Sequence, residues 1–309
     1  MKTTQDMIKE PIWGGMHHPE KSEAEANAII FGIPFDKAAS VLRGASEAPA
    51  RIRSMTYTIP PTNEYFEDMS GVTIKDIGDF DEQDQIKLFK QVREKVTGLA
   101  GDGRFFAMIG GDHSVTIPVL QGIDDALEDE FGIIHIDTHF DLCDELDGNK
   151  LSHGCTQRRA TELKHIGSPE NIFFIGIRSA EPDELVFMKN NKLNLISATE
   201  YEAMGTGAVA ERVVNTMKKF GRIYITIDID ALDTWGTGTP QIGGLSTRQL
   251  LDLLRGLFDG LNIIGFDVVE VAPPLDPALG SVYAGRRLIT ECIGHHARKL
   301  GILIPCRMQ

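Results

Sequence analysis

Asp137, His139 and Asp141 stand at i, i+2 and i+4 in the stretch Ile133 to Leu142, IIHIDTHFDL. In an extended chain three such side chains point to one side of the backbone. Two carboxylates and an imidazole converging there are expensive to bury unpaired. A cation between them removes that cost. Oxygen-rich ligands with a few imidazoles suit manganese, and zinc or nickel less well. Read alone, the motif is also compatible with a solvated loop rich in Asp and His.

The stretch does not stand alone. His113 follows Gly110-Gly111-Asp112, Asp228 and Asp230 flank Ile229, and Glu270 follows Val269. Asp137, Asp141, Asp228 and Asp230 carry four negative charges, which two divalent cations would neutralise, with His113 and His139 as neutral nitrogen ligands. One cation would leave about two buried charges unbalanced, which is unfavourable at low dielectric. Paired metals about 3.5–4 Å apart can activate a shared water as a nucleophile.

Each of these segments ends an apolar run. RFFAMI precedes His113, GIIHI precedes Asp137, RIYITI precedes Asp228 and LNIIGFDV precedes Glu270. Short runs of this kind read as buried parallel strands. Further strands are expected at AIIFGI (28–33), 71–77, NIFFIGI (171–177) and 193–196. Ile86, Phe89, Val92, Val96 and Leu99 recur at helical spacing, so 82–100 reads as an amphipathic helix. Helices are also expected at 47–55, from Ser114 to about 129, from Thr199 (with Glu202 in a capping box) to Lys219, at 247–258 behind Ser246 and Gln249, and at 283–300. The tail GILIP can add an edge. Alternation of strand and helix implies a parallel sheet with helices on both faces. Ligands in such sheets bind beyond the carboxyl ends of the strands, so the four loaded segments are expected at one edge. Nothing divides the chain, which reads as one domain over 1–309 with residues 1–27 as a surface segment.

Net charge is −14 over 309 residues, with 42% hydrophobic and 25% charged residues. An acidic surface argues against nucleic acid or an anionic membrane as partner. No apolar run approaches a membrane span, and MKTTQDMIKEPIWGG lacks the apolar core of a signal peptide. Four cysteines without C-x-x-C spacing (Cys143, Cys155, Cys292, Cys306) suit a reduced, cytoplasmic protein. His17 and His18 read as loop residues, and His135 as a strand residue beside the site.

The motifs GGDHS, DTHFD, SHGC, DIDALD, GTGTPQIGGLS and DVVEVAPPLD together resemble the ureohydrolases (the arginase and agmatinase family), most nearly the agmatinase branch. The likeness runs from about Ile29 to about Arg298. It implies a three-layer α/β/α arginase-like fold, a dimanganese centre, and hydrolysis of a small cationic guanidino substrate to urea and an amine, agmatine to putrescine first. By motif match, His113, Asp137, Asp141 and Asp228 would hold one metal. Asp137, His139, Asp228 and Asp230 would hold the other, with Asp137 and Asp228 bridging. His153 falls where the family places a histidine near the substrate, a proton shuttle to the leaving amine. Glu270 falls where the family places the carboxylate that holds the guanidinium, and a planar cation with several N–H donors suits a bidentate carboxylate. Asp230 would help stabilise the tetrahedral intermediate. The resemblance also implies a homo-oligomer, a trimer or hexamer.

Three positions depart from the family pattern. Thr138 replaces the usual Ala between the first Asp and the His. Cys155 replaces the common Thr after His-Gly, where its thiol is expected to line the entrance. Only Thr234-Trp235 separate Asp233 from Gly236, a shortened loop expected to alter the pocket mouth. The metal chemistry is expected to survive these changes. Guanidinobutyrate, guanidinopropionate, arginine and guanidine therefore stand beside agmatine as substrates, and nickel beside manganese. Formiminoglutamate hydrolysis or a deacetylase-like reaction on the same fold is the alternative class, and a non-catalytic relative is the third. Glu270 favours the guanidinium reading over the second, and the six intact ligand positions argue against the third.

Overall fold

β-branched and aromatic runs too short for helices become the strands of one sheet. The computed structural model describes residues 3–305. Among these, the strands are β1 (Ala28–Gly32), β2 (Ile74–Asp79), β3 (Phe106–Ile109), β4 (Gly132–Ile136), β5 (Ile172–Ile177), β6 (Asn194–Ser197), β7 (Ile223–Asp228) and β8 (Ile263–Val269). Their order across the sheet is β2-β1-β3-β8-β7-β4-β5-β6, and every neighbouring pair is parallel. The central strands are buried on both faces, which explains their continuous hydrophobicity.

Alternate residues of each strand feed two cores. Ile30, Ile109, Ile134 and Ile225 join one, with the helices Ala48–Ser54, Thr206–Met217, Thr247–Gly260 and Gly280–Lys299. Phe31, Met108, Ile133 and Tyr224 join the other, with the helices Gln85–Gly101 and Thr116–Ala126. The result is the three-layer α/β/α arrangement expected from the alternation. No helix among the described residues is long and apolar enough to cross a membrane.

Several local expectations are corrected. Where a surface wrap over 1–27 was expected, the described residues 3–27 do more, because Met7, Ile12, Trp13 and Met16 are buried. It pads the β2 edge of the sheet, where Trp13 Nε1 donates to Asp76 Oδ2 at 2.8 Å and His17, itself buried, bridges to Ile74. Ile86 is exposed, and Leu88 takes its place on the buried face of its helix. The expected helix from Thr199 to Lys219 is two helices, Ala198–Met204 and Thr206–Met217, parted at Gly205 with φ 76°. Its first cap is Ser197 with Glu200, two residues before the expected pair. The helix Pro182–Asn190, which no periodicity announced, lies beside the site described next. The GILIP tail pairs not with the main sheet but with Glu67–Asp68, through Ile304–Pro305. Cys306 lies outside the described residues.

Candidate metal centre

Strand register decides which side chains meet. Ile109, Val268, Ile227 and Ile136 lie in one row across β3, β8, β7 and β4. Just beyond that row all four strands end. Residues far apart in sequence therefore meet at one sheet edge, as expected for this class of fold. The backbone is left-handed at two of these residues, Asp141 (φ 54°) and Glu270 (φ 61°).

His113 is central. Its Nδ1 lies 3.0 Å from Asp137 Oδ2 and 3.1 Å from both Asp141 Oδ2 and Asp228 Oδ2. Its Nε2 lies 2.8 Å from Thr226 Oγ1, and that hydroxyl donates to Asp267 Oδ1 at 2.6 Å. Thr226 must then accept from Nε2–H, which leaves the Nδ1 lone pair facing three carboxylate oxygens. Asp267 is fixed in turn by the hydroxyls of Thr116 and Tyr224. A second group forms around His139, whose Nδ1 is 3.2 Å from Asp230 Oδ2 and 3.6 Å from Asp137 Oδ1. Asp137 thus turns one oxygen to each group. The Asp230 N–H donates to Asp228 Oδ1 at 2.8 Å, which leaves Oδ2 aimed at His113.

Four of these atoms are buried without a hydrogen-bond partner among the described residues: His113 Nδ1, Asp137 Oδ2, Asp141 Oδ2 and Asp230 Oδ2. An orphaned buried acceptor ordinarily costs about 1–3 kcal/mol. Four lone pairs aimed at shared space are what divalent cations require, and two groups joined by Asp137 suit a pair of them. His135 also lies close to His113 and Asp137. Its Nε2 is 2.9 Å from the His139 carbonyl and its Nδ1 accepts from Gln157 at 3.0 Å, so it buttresses the site with both nitrogens engaged.

The electrostatics tell the same story. Burial raises Asp228 and Asp141 well above the usual carboxylate range, and the charges of Asp230 and Asp137 add to it. Burial alone would lower His113, but Asp141, Asp137 and Asp228 outweigh it and hold the ring well above its ordinary value. Protons here share a charge load that bound cations would carry instead.

Glu270 and His153 stand beside this cluster. Glu270 Oε1 accepts from the His113 N–H at 2.9 Å and pairs with His153 Nδ1 at 3.1 Å. Both lone pairs of Oε1 are engaged, so Oε2 is the oxygen left for a ligand. The bidentate contact expected of Glu270 would need Oε1 to be released from these partners, whereas Oε2 needs no such release. Burial pushes His153 down, but Glu270 outweighs it and raises the ring to about 9. A cavity of about 210 Å³ is lined by His113, Asp141, His153, Glu181, Glu184 and Gln241 among others.

The departures resolve differently. The Thr138 hydroxyl donates to the Asp230 carbonyl at 2.7 Å, and Arg178 Nη2 donates to the same carbonyl at 2.7 Å, so Thr138 adds a tie between the two ligand loops. Cys155 does not line the entrance. It is buried at the start of a short helix, with Sγ 3.6 Å from the Asn149 carbonyl, and Cys143 reaches the cavity wall instead. Trp235 is 69% exposed and outside the cavity lining, to which its loop contributes Thr239 and Gln241.

Four residues were not singled out from the sequence. Ser40 contacts His153, Asp112 accepts from the Ala38 N–H, Glu184 lines the cavity and Arg178 ties Asp230 to Gln241. Asp112 carried a signal, since it sits inside GGDHS. The others act across distant loops, and no local pattern marks them.

A model of the arginase family matches residues 26–294. The chain is 30% identical to the guanidinobutyrase of Pseudomonas aeruginosa, covering 92% of this chain and 93% of that one. It is 31% identical to an agmatinase of Bacillus anthracis, covering 89% and 93%. Its fold is similar to the crystal structure of the agmatine ureohydrolase of Thermoplasma volcanium, with TM-score 0.80 and 29% identity over 91% of this chain and 94% of that one.

Proposed function

This chain belongs to the arginase family, and from that premise we propose that it hydrolyses a guanidino compound with a cationic tail, agmatine foremost, to urea and an amine at a dimanganese centre. The family is one of binuclear-metal hydrolases acting on C–N bonds of amidines. The proposed ligands are His113, Asp137, Asp141 and Asp228 for one ion and Asp137, His139, Asp228 and Asp230 for the other. The observation that carries this reading is the convergence of four orphaned buried donor atoms from three strand ends under one cavity. The oxygen-rich donor set favours manganese, with nickel next.

When bound, the metals would activate water as the nucleophile and offset negative charge in the transition state. Glu270 Oε2 accepts from the guanidinium and fixes its orientation. Asp230, whose Oδ2 faces the shared space 3.2 Å from His139 Nδ1, accepts a hydrogen bond from the attacking water and steadies the tetrahedral arrangement. The water oxygen bonds the guanidinium carbon, the bond from that carbon to the amine nitrogen breaks, and both water protons end on the leaving nitrogen, giving neutral urea and an ammonium that keeps the substrate's charge. His153 carries one of these protons, since its ring lies at the cavity wall and its charged form is sustained by Glu270.

The tail preference comes from the cavity wall. Glu181 and Glu184 line it, and no Lys or Arg does among the described residues. A carboxylate tail would meet acidic groups there with no cation to pair with, which disfavours it relative to a cationic tail. Urea release from agmatine, arginine, guanidinobutyrate, guanidinopropionate and guanidine is expected to rank agmatine first and the two acids last. A panel led by an acid would reverse the tail assignment, and no urea from any metal-loaded assay would refute the function.

A second expectation concerns the support behind His113. Thr226→Val keeps the side-chain shape but leaves His113 Nε2–H and Asp267 Oδ1 without their shared hydroxyl. Loss of such a support typically costs about 10–100-fold in metal affinity. Titration of the variant with manganese is expected to give that loss with little change in fold, and wild-type affinity would remove Thr226 from the site.

A further inference from the structure

Ser40 reaches His153 from a loop that the motifs did not mark. Its hydroxyl oxygen lies 2.8 Å from His153 Nε2, and its backbone N–H donates to the same nitrogen at 3.2 Å. His153 Nδ1 is 3.1 Å from Glu270 Oε1. The imidazole is therefore bonded at both ends, in the line Glu270–His153–Ser40.

The loop bearing Ser40 is tightly held. Asp112 Oδ2 accepts from the Ala38 N–H at 2.9 Å, and the Ala38 carbonyl accepts from Ser152 Oγ at 3.0 Å. Asp36 Oδ2 accepts from the Gly44 N–H at 2.8 Å and the Ser46 N–H at 3.2 Å. These bonds join the loop to the turns bearing His113 and His153, so the position of Ser40 is set by the site itself.

The two donors of Ser40 are not equivalent. A backbone N–H can only donate, so it serves Nε2 when that nitrogen holds a lone pair. A hydroxyl can donate to the neutral ring and, by rotating, accept from Nε2–H of the charged ring. We propose that the Ser40 hydroxyl is the positioning residue of His153, keeping the ring in one orientation while its proton comes and goes. This rests on the reading of His153 as the proton carrier. Glu270, Asp112 and Asp141 are the charged groups facing His153 from the neighbouring strand ends, and all three favour its charged form. Among the described residues, Ser40, from the separate loop after β1, is the group that bonds Nε2 of the ring.

The test is Ser40→Ala beside Ser40→Thr, which keeps a hydroxyl at an exposed position. For Ala, kcat on the best guanidino substrate should fall about tenfold, part of the roughly 10²–10⁴ that general acid–base catalysis contributes. KM should stay within about twofold, and Thr should restore most of the rate. Nitrogen NMR of the full-length chain labelled at histidine should find the His153 ring losing its proton at lower pH in Ala than in wild type, with Thr returning it. Wild-type kcat and an unmoved ring titration in Ala would overturn the assignment. So would equal losses in Ala and Thr, which would make the loop merely structural. If wild type released no urea from any guanidino compound, the functional reading would fall, and the ring titration would still decide the role of Ser40.

Discussion

Asp137→Asn is expected to empty the centre of metal, whereas Asp141→Asn should weaken mainly one ion. Asp137 turns Oδ2 toward His113 and Oδ1 toward His139, so it belongs to both groups, while Asp141 approaches only His113 among these ligands. It is also the cluster's dependable anion. Burial opposes its charge, but the surrounding rings of His135, His113 and His139 outweigh burial and hold it well below the usual carboxylate range. Asparagine removes that charge and places an N–H donor where a cation needs a lone pair. Leaving a buried partner charge uncompensated costs about 3–5 kcal/mol, about two to four orders of magnitude in metal affinity. Metal analysis after reconstitution should find fewer than about one ion per chain in Asp137→Asn and more in Asp141→Asn. Equal retention would contradict the sharing of Asp137 between two ions.

Glu270→Gln is expected to abolish most turnover while leaving both metals bound. The amide oxygen can keep the two bonds from the His113 N–H and His153 Nδ1, so the local fold should hold. Its NH₂ group then occupies the place of Oε2 and meets the N–H donors of a guanidinium. A lost charge-assisted buried pair costs roughly 2–4 kcal/mol, so kcat/KM should fall by at least tenfold and up to about a thousandfold. His153 provides an internal check. Its ring is raised from 6.5 to about 9, so the stabilisation it contributes is complete below pH 6.5 and lost as pH rises through about 9. The Gln variant should lack that loss of stability across the same pH range. A variant with wild-type activity, or one that sheds its metals, would show that Glu270 does something else.

What could be read from the sequence followed its physics. Apolar runs that turn abruptly to Asp, His or Glu mark strand ends, and the crossover rule for parallel strands brings those ends together. That logic reached His113, Asp137, His139, Asp141, Asp228, Asp230 and Glu270, and the structure does bring these side chains to one edge. It could not reach Ser40, whose contact with His153 closes over 113 residues and depends on how two loops fold. Nor could it reach Trp13, a lone aromatic in a polar segment with no periodicity to announce its burial. The cap falls at Ser197 rather than Thr199 because two Ser/Thr-x-x-Glu patterns overlap there, Ser197 with Glu200 and Thr199 with Glu202. The end of β6 at Ser197 selects the first. Cys155 departs from its expected place because the sequence gives its neighbours but not the direction in which a helix start turns its side chain.

The left-handed backbone at Asp141 and Glu270 has an evolutionary reading. A side chain with a Cβ is strained in that region, by about 1–3 kcal/mol, and glycine would relieve it. Under selection for stability alone, mutation would carry Asp141 toward glycine, as it tends to wherever strain has no use, whereas Glu270 also holds the His113 N–H and the His153 ring. Holding an acid at Asp141 is a standing sacrifice of robustness for chemistry. A laboratory lineage selected only for heat resistance, with urea release unmonitored, should lose that acid first, and its most stable survivors should be inert.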